Sequence, residues 1–328
     1  PLSLCAVYDT LCKAVQADYL TIGDTVLINV GFLDGGVGQE IFQRAGKPRH
    51  PLWSVDVMMN QPDIVREVHS DYLNAGAKTL CMNTYTATPT RLKRAGVNHP
   101  IETIYSLASN TLNSIRESSD TQFDIAGVLA PIEGSYLPNP PRSYQSLLDE
   151  FRLICALQPE VDLLMVETMS NSIEARAACL AAKETGKLYT LGIRVEPNGL
   201  LRSGETVEEL IAAVKEFEPD GYWINCSAPE EVPVALKQIA NHHKPFGAYA
   251  NGFSSIEPLA AGNSVAELME RKDLTPQQYA ELALDWYRSG ARLIGGCCAI
   301  SPIHMRQTAE LLSNQGAHLV PVSQILKS

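Results

Sequence analysis

Long apolar runs are missing from this 328-residue sequence, and no stretch approaches the about 20 residues that a membrane-spanning helix requires. Membrane insertion is therefore not expected. Basic clusters are equally scarce. Lys and Arg number 26 against 37 Asp and Glu, giving a formal charge of −11, and the longest basic segment is the short "RLKRAG" at 91–96. That balance argues against nucleic acid as a partner. Linkers, charge blocks, low-complexity tracts and short repeats are also absent. Cysteine is sparse: eight residues spread over the whole chain lack the density of a disulfide scaffold, which points to a reducing, cytoplasmic setting. The segment "PLSLCAVYDTLCKAVQADYL" at 1–20 reads as an amphipathic helix with charges inside it, neither a signal peptide nor an anchor.

What the chain does contain is alternation. Eight short apolar segments, at 26–34, 78–84, 123–130, 162–168, 188–195, 221–227, 245–251 and 292–298, are separated by amphipathic patterns with apolar residues three and four apart. Strands apolar on both faces belong between other layers. Eight such units predict a single (β/α)8 TIM barrel over 26–328, with residues 1–25 as an N-terminal helical extension. The alternative is a doubly wound open sheet, which seldom needs eight regular units. A last helix is opened by Ser301 and Pro302, a cap followed by a first-turn proline. Two loops, after the third and seventh strands, exceed a simple connection, and long loops at the C-terminal ends of barrel strands shape active sites.

In such a barrel the polar residues at the strand ends share one mouth. They are Asp34 before "GGVG", Asn83 and Thr84, Glu167 and Thr168, Asn225 and Cys226, Asn251, and Cys297 with Cys298. Neighbouring cysteines do not readily pair with each other, because the linking peptide is strained. Three thiols converging from two strands suit a tetrahedral Zn2+ with one position left for water or substrate. The competing reading is that Cys297 and Cys298 are small core residues, the reading kept for the other five cysteines. Asp34 and Glu167 offer negative partners to an ammonium, and the amides of Gly35 and Gly36 can approach a carboxylate, which together describe an amino-acid pocket. Otherwise Asp34 caps the following helix and Glu167 pairs with a basic neighbour. His69 and His304 read as structural. Trp53 and Tyr85 sit near the mouth as pocket wall or as core.

The segments "FLDGGVGQEIFQRAG", "LMVETM", "WINCS" and "GGCCAISPIHM", in this order, resemble the motifs of the homocysteine S-methyltransferase family from about residue 30 to about 312. The resemblance implies a zinc-dependent barrel that moves a methyl group to the sulfur of homocysteine, giving methionine. It implies Cys226, Cys297 and Cys298 as zinc ligands, and Asp34 and Glu167 at the amino group, with Gly35 and Gly36 near the carboxylate. Thr84 and Asn251 join the expected substrate set, and Trp53, Tyr85, Glu133 and Tyr136 the donor pocket. No protein group beyond the activated thiol need act as a base. Sulfonium donors, S-methylmethionine or S-adenosylmethionine, are favoured, with betaine or dimethylsulfoniopropionate as the alternative. The loops "APIEGSYLPNPPRSY" and "YANGFSS" depart from the pattern of the S-methylmethionine group and leave the donor open. A reading from another class makes the three cysteines a non-catalytic zinc or redox-thiol site. Partners are then small molecules, in a monomer or small homo-oligomer.

Overall fold

The computed structural model describes residues 19–22, 25–47, 50–257 and 268–328. The expected strands form, each within a few residues of its predicted bounds. In chain order the strands are β1 (Tyr19–Ile22), β2 (Thr25–Phe32), β3 (Thr79–Cys81), β4 (Asp124–Leu129), β5 (Leu163–Met169), β6 (Leu188–Ile193), β7 (Gly221–Asn225), β8 (Phe246–Ala250), β9 (Leu293–Gly296) and β10 (Ala317–Val320). Strands β3 to β9 lie side by side in chain order, all parallel, and β9 pairs with β2. A bridge between Leu33 and Thr79, with hydrogen bonds from Lys78 N to Phe32 O (2.8 Å) and Asp34 N to Thr79 O (3.0 Å), joins β2 to β3. That contact closes the ring of eight, as the (β/α)8 expectation requires.

Apolar residues on both strand faces have a direct outcome here, since β4 and β5 are buried along their whole length. Outward-facing residues pack under the helical ring, and inward-facing ones fill the interior. There Trp223 stands edge-on to Tyr249 at 5.0 Å and donates from Nε1 to Thr190 Oγ1 (3.0 Å). Helices start where the sequence offers caps. Thr206 and Thr275 form reciprocal capping boxes with Glu209 and Gln278, and Ser301 does so with His304 ahead of Pro302.

Two ends of the chain differ from expectation. The predicted N-terminal helix lies largely outside the described residues, but Tyr19–Ile22 is a strand antiparallel to β2. Beyond the last barrel helix (Pro302–Asn314) the chain adds β10, parallel to β2, and a short helix, Val322–Leu326. That helix stoppers the barrel at the N-terminal ends of the strands. Val322 N donates to Thr79 Oγ1 (2.9 Å), Ser323 N donates to Asp124 Oδ2 (2.8 Å), and Val322, Ile325 and Leu326 pack with Trp223 and Leu293. Among the described residues no helix is long and apolar enough to cross a membrane.

Candidate active site

A cavity of about 380 Å³ opens at the other end, above the C-terminal ends of the strands. Its floor is set by backbone that leaves the regular strand path. The β5–β6 pairing shifts register between Val166 and Met169, and Thr168 sits at φ 60°. Such a bulge re-aims a side chain, and here Glu167 faces the cavity. Asn225 fixes the distortion with both ends of its amide: Oδ1 accepts from Thr168 N (3.0 Å) and Nδ2 donates to Thr168 Oγ1 (2.9 Å). Cys226, at φ 52°, turns out of β7, and Asn251 Nδ2 holds its carbonyl at 2.9 Å. Ala299, at φ 61°, ends the turn that carries Cys297 and Cys298. With Trp53 (φ 52°) and Tyr136 (φ 68°), five non-glycine residues in the left-handed region gather around one cavity. Each costs of order 1–3 kcal/mol, so the surrounding structure must over-determine them.

These turns bring the three sulfurs of Cys226, Cys297 and Cys298 within 4.8 Å of one another, those of Cys297 and Cys298 lying 4.0 Å apart. Tetrahedral thiolates at the usual Zn–S length of about 2.3 Å stand about 3.8 Å apart, so the set fits such an ion after a small contraction. Among the described residues no fourth His, Cys or carboxylate joins the group. Three soft ligands beside an open cavity are the donor set of a site that leaves one position for another molecule. Without a metal the cluster shares protons unevenly. Proximity to the Cys297 sulfur, then to that of Cys298, holds the Cys226 thiol well below the usual range, while the same proximity to Cys226 pushes Cys297 up.

Asp34 and Glu167 lie on the same wall, both buried and, among the described residues, without a cationic partner. Asp34 accepts from Cys81 N (2.8 Å), and Glu167 accepts from the Tyr249 hydroxyl (3.3 Å). Burial pushes Asp34 up to about 7; burial and then the Asp34 charge push Glu167 up to about 8. A pair of this kind lacks a cation. The aromatic residues Trp53, Tyr85, Tyr136 and Phe253 also line the cavity, Tyr136 packing beside the three cysteines, and Glu133 is paired to Arg94 (2.5 Å).

The profile of the homocysteine S-methyltransferase family matches residues 31–312, the barrel and its site together. The chain belongs to the homocysteine S-methyltransferase family. Relatives include a homocysteine S-methyltransferase of Bacillus subtilis, 25% identical over 299 residues, which span 84% of this chain and 92% of that protein. Homocysteine S-methyltransferase 2 of Saccharomyces cerevisiae is 28% identical over 310 residues, spanning 82% and 90%. In fold the chain is similar to the metallated form of the Escherichia coli homocysteine methyltransferase MmuM, with a TM-score of 0.71 at 23% identity over 86% of this chain and 96% of that one.

For this methyltransferase, the structure brings together most residues singled out in the sequence. Cys226, Cys297, Cys298, Asp34, Glu167, Gly35, Gly36, Trp53, Tyr85, Glu133 and Tyr136 all line the cavity. Three expectations are revised. The Gly36 amide donates to Ile300 O (2.8 Å), so it is spent within the fold; a Cβ on Gly36 would lie 2.6 Å from Cys297 O, and one on Gly35 2.4 Å from Ile300 O. These glycines serve the close approach of two backbones, and Gly36 N–H is not available to a carboxylate. Asn251 does not reach the cavity, because its amide is taken by Cys226 O and by Phe253 N (2.9 Å). Thr84 lies behind the wall. Strand β3 stops at Cys81 and the chain turns, Thr84 N donating to Met82 O (2.7 Å), so Asn83 rather than Thr84 takes the wall position.

Sequence reading missed Cys81, Tyr249 and the arginines 91 and 94 as cavity residues. Tyr249 had a signal. It lies two residues before Asn251 on a strand of period two, on the inward face.

Proposed function

We propose that this enzyme transfers a methyl group from a sulfonium donor, S-methylmethionine or S-adenosylmethionine, to the sulfur of L-homocysteine, with Cys226, Cys297 and Cys298 holding Zn2+. The observation that carries this reading is the meeting, in one cavity, of three convergent thiols with two buried carboxylates that have no cationic partner among the described residues. A bound zinc ion would supply a deprotonated, electron-rich acceptor sulfur at neutral pH, where a free thiol with pKa near ~8.5 is mostly protonated.

The protein's own groups do the rest by placement. Asp34 and Glu167 take the ammonium of homocysteine, which supplies the cation they lack and keeps them ionised. Asn225 keeps Glu167 aimed by pinning Thr168. Trp53, Tyr85 and Tyr136 line the cavity, and aromatic rings there would attract a cationic sulfonium and exclude water from the line of attack. Transfer then needs no protein base: the acceptor thiol loses its proton on binding, its electron pair forms the new S–CH3 bond, and the donor sulfur leaves as a neutral thioether.

The test is methionine formation by zinc-loaded protein from homocysteine and, separately, S-methylmethionine, S-adenosylmethionine, glycine betaine or dimethylsulfoniopropionate, with zinc measured on the same sample. Turnover with S-methylmethionine or S-adenosylmethionine is expected. Turnover with betaine alone would refute the donor assignment, and one zinc per chain with no methylation of homocysteine would refute the acceptor.

A further inference from the structure

The loop between β4 and the helix Tyr144–Ala156 carries a contact that donor binding alone does not require. Tyr136, buried and held at φ 68°, places its hydroxyl 3.0 Å from Cys226 Sγ. Its ring lies under the Arg194 guanidinium, 5.4 Å from the centroid. Arg194 follows β6 and is only 4% exposed. It pairs with Glu196, which also binds Arg202 (3.0 Å), and Arg202 reaches Glu257 on the loop after β8 (2.9 Å).

We propose that Tyr136 is a positioning residue for the metal-binding thiolate: its phenol donates a hydrogen bond to Cys226, and Arg194 clamps the ring so that it must. The inference rests on the reading of Cys226, Cys297 and Cys298 as metal ligands. Once Cys226 is a coordinating thiolate, only the phenol has a proton to give, so the direction of the hydrogen bond is settled by chemistry. Three thiolates around a divalent ion carry one net negative charge, and a buried donor aimed at one sulfur offsets part of it. The left-handed backbone of Tyr136 is the strained element that puts the hydroxyl there. Stacking on a guanidinium holds the ring without taking its hydroxyl, which stays free for sulfur. The arrangement ties two loops of the cavity to one ligand. Tyr136 brings the loop that also holds Glu133 and Ser135, and the chain from Arg194 to Glu257 brings the loop after β8.

The experiment reads the site without methyl transfer, so it fails or succeeds apart from the proposed reaction. Zinc affinity is measured by competition with a chromophoric chelator, and the thiolate-to-metal charge-transfer band is recorded on Co2+-loaded protein. Tyr136→Phe is expected to weaken zinc binding by roughly 10- to 100-fold, the usual cost of losing an outer-shell partner, and to move the cobalt band to lower energy. Incorporating 3-fluorotyrosine at position 136 keeps the ring and makes the phenol a stronger donor, so it should move the band the other way; it also serves if Tyr136→Phe does not fold. Tyr85→Phe, whose hydroxyl instead meets Ser135 (2.8 Å), should leave zinc affinity as in wild type. An unchanged band in both position-136 proteins overturns the proposal, even if zinc binding weakens, because the loss would then be one of packing.

Discussion

Replacing Glu167 by Gln should make the metal-free enzyme more stable in mild alkali, although the residue lines the cavity. In the folded chain burial, then Asp34, raise Glu167 from 4.5 to about 8. Between those values the folded state keeps a proton that the unfolded state has lost, so stability is full below pH 4.5 and falls as pH rises through 8. At about 1.4 kcal/mol for each pH unit, the ceiling on that loss is about 5 kcal/mol. Water admitted to the cavity reduces it, and a widening of about 2 kcal/mol between wild type and Glu167→Gln from pH 5.5 to 8.5 is expected. Urea unfolding of both metal-free proteins at pH 5.5, 7 and 8.5 measures it. The thiols are common to both, so the difference isolates the carboxylate. Adding an amino-acid ligand should close the gap at pH 8.5, since its ammonium supplies the missing partner. A gap that stays constant with pH would refute the idea that Glu167 is a buried carboxylate awaiting a cation.

Cys297→Ser should lose both bound zinc and activity, while Cys81→Ser keeps its zinc; metal analysis beside a methionine assay checks both. Asn225→Ala removes the clamp on Thr168 and leaves a buried amide unpaired, so a loss of about 2–4 kcal/mol in unfolding and at least a tenfold drop in kcat/KM are expected. Gly36→Ala drives a methyl group to within 2.6 Å of Cys297 O and should weaken zinc binding together with activity, read by chelator competition. Ile325→Ala, at the opposite end of the barrel, should cost about 2–4 kcal/mol in thermal or urea unfolding and leave KM unchanged well below the transition.

The barrel was legible because its strands are buried on both faces, which stamps each as a short apolar run between helical periods. The convergence of residues on the cavity was legible where chemistry clusters at strand ends, as at Asn225–Cys226 and Cys297–Cys298. What could not be read is what depends on backbone departing from the repeat. A bulge at Thr168 decides where Glu167 points, and an early end to β3 exchanges the roles of Asn83 and Thr84. Gly36 spends its amide on Ile300, a partner 264 positions away in the chain. Tyr19–Ile22 was read as part of a helix because apolar periodicity in so short a segment fits either state, and pairing with β2 decides it. Asn251 carries the right chemistry for a ligand, and only the geometry reveals that Cys226 and Phe253 already use its amide.

The stopper formed by Val322–Leu326 separates two concerns that many proteins mix. Closure and interior packing are secured at one end of the barrel, by Val322, Ile325, Leu326, Trp223 and Leu293, while the loops bearing Tyr136, Glu133 and Phe253 hang from the other. Sequence drift in those loops therefore draws little on the stability reserve of the molecule. A lineage can try new loops at the mouth of the cavity and remain folded throughout the trial.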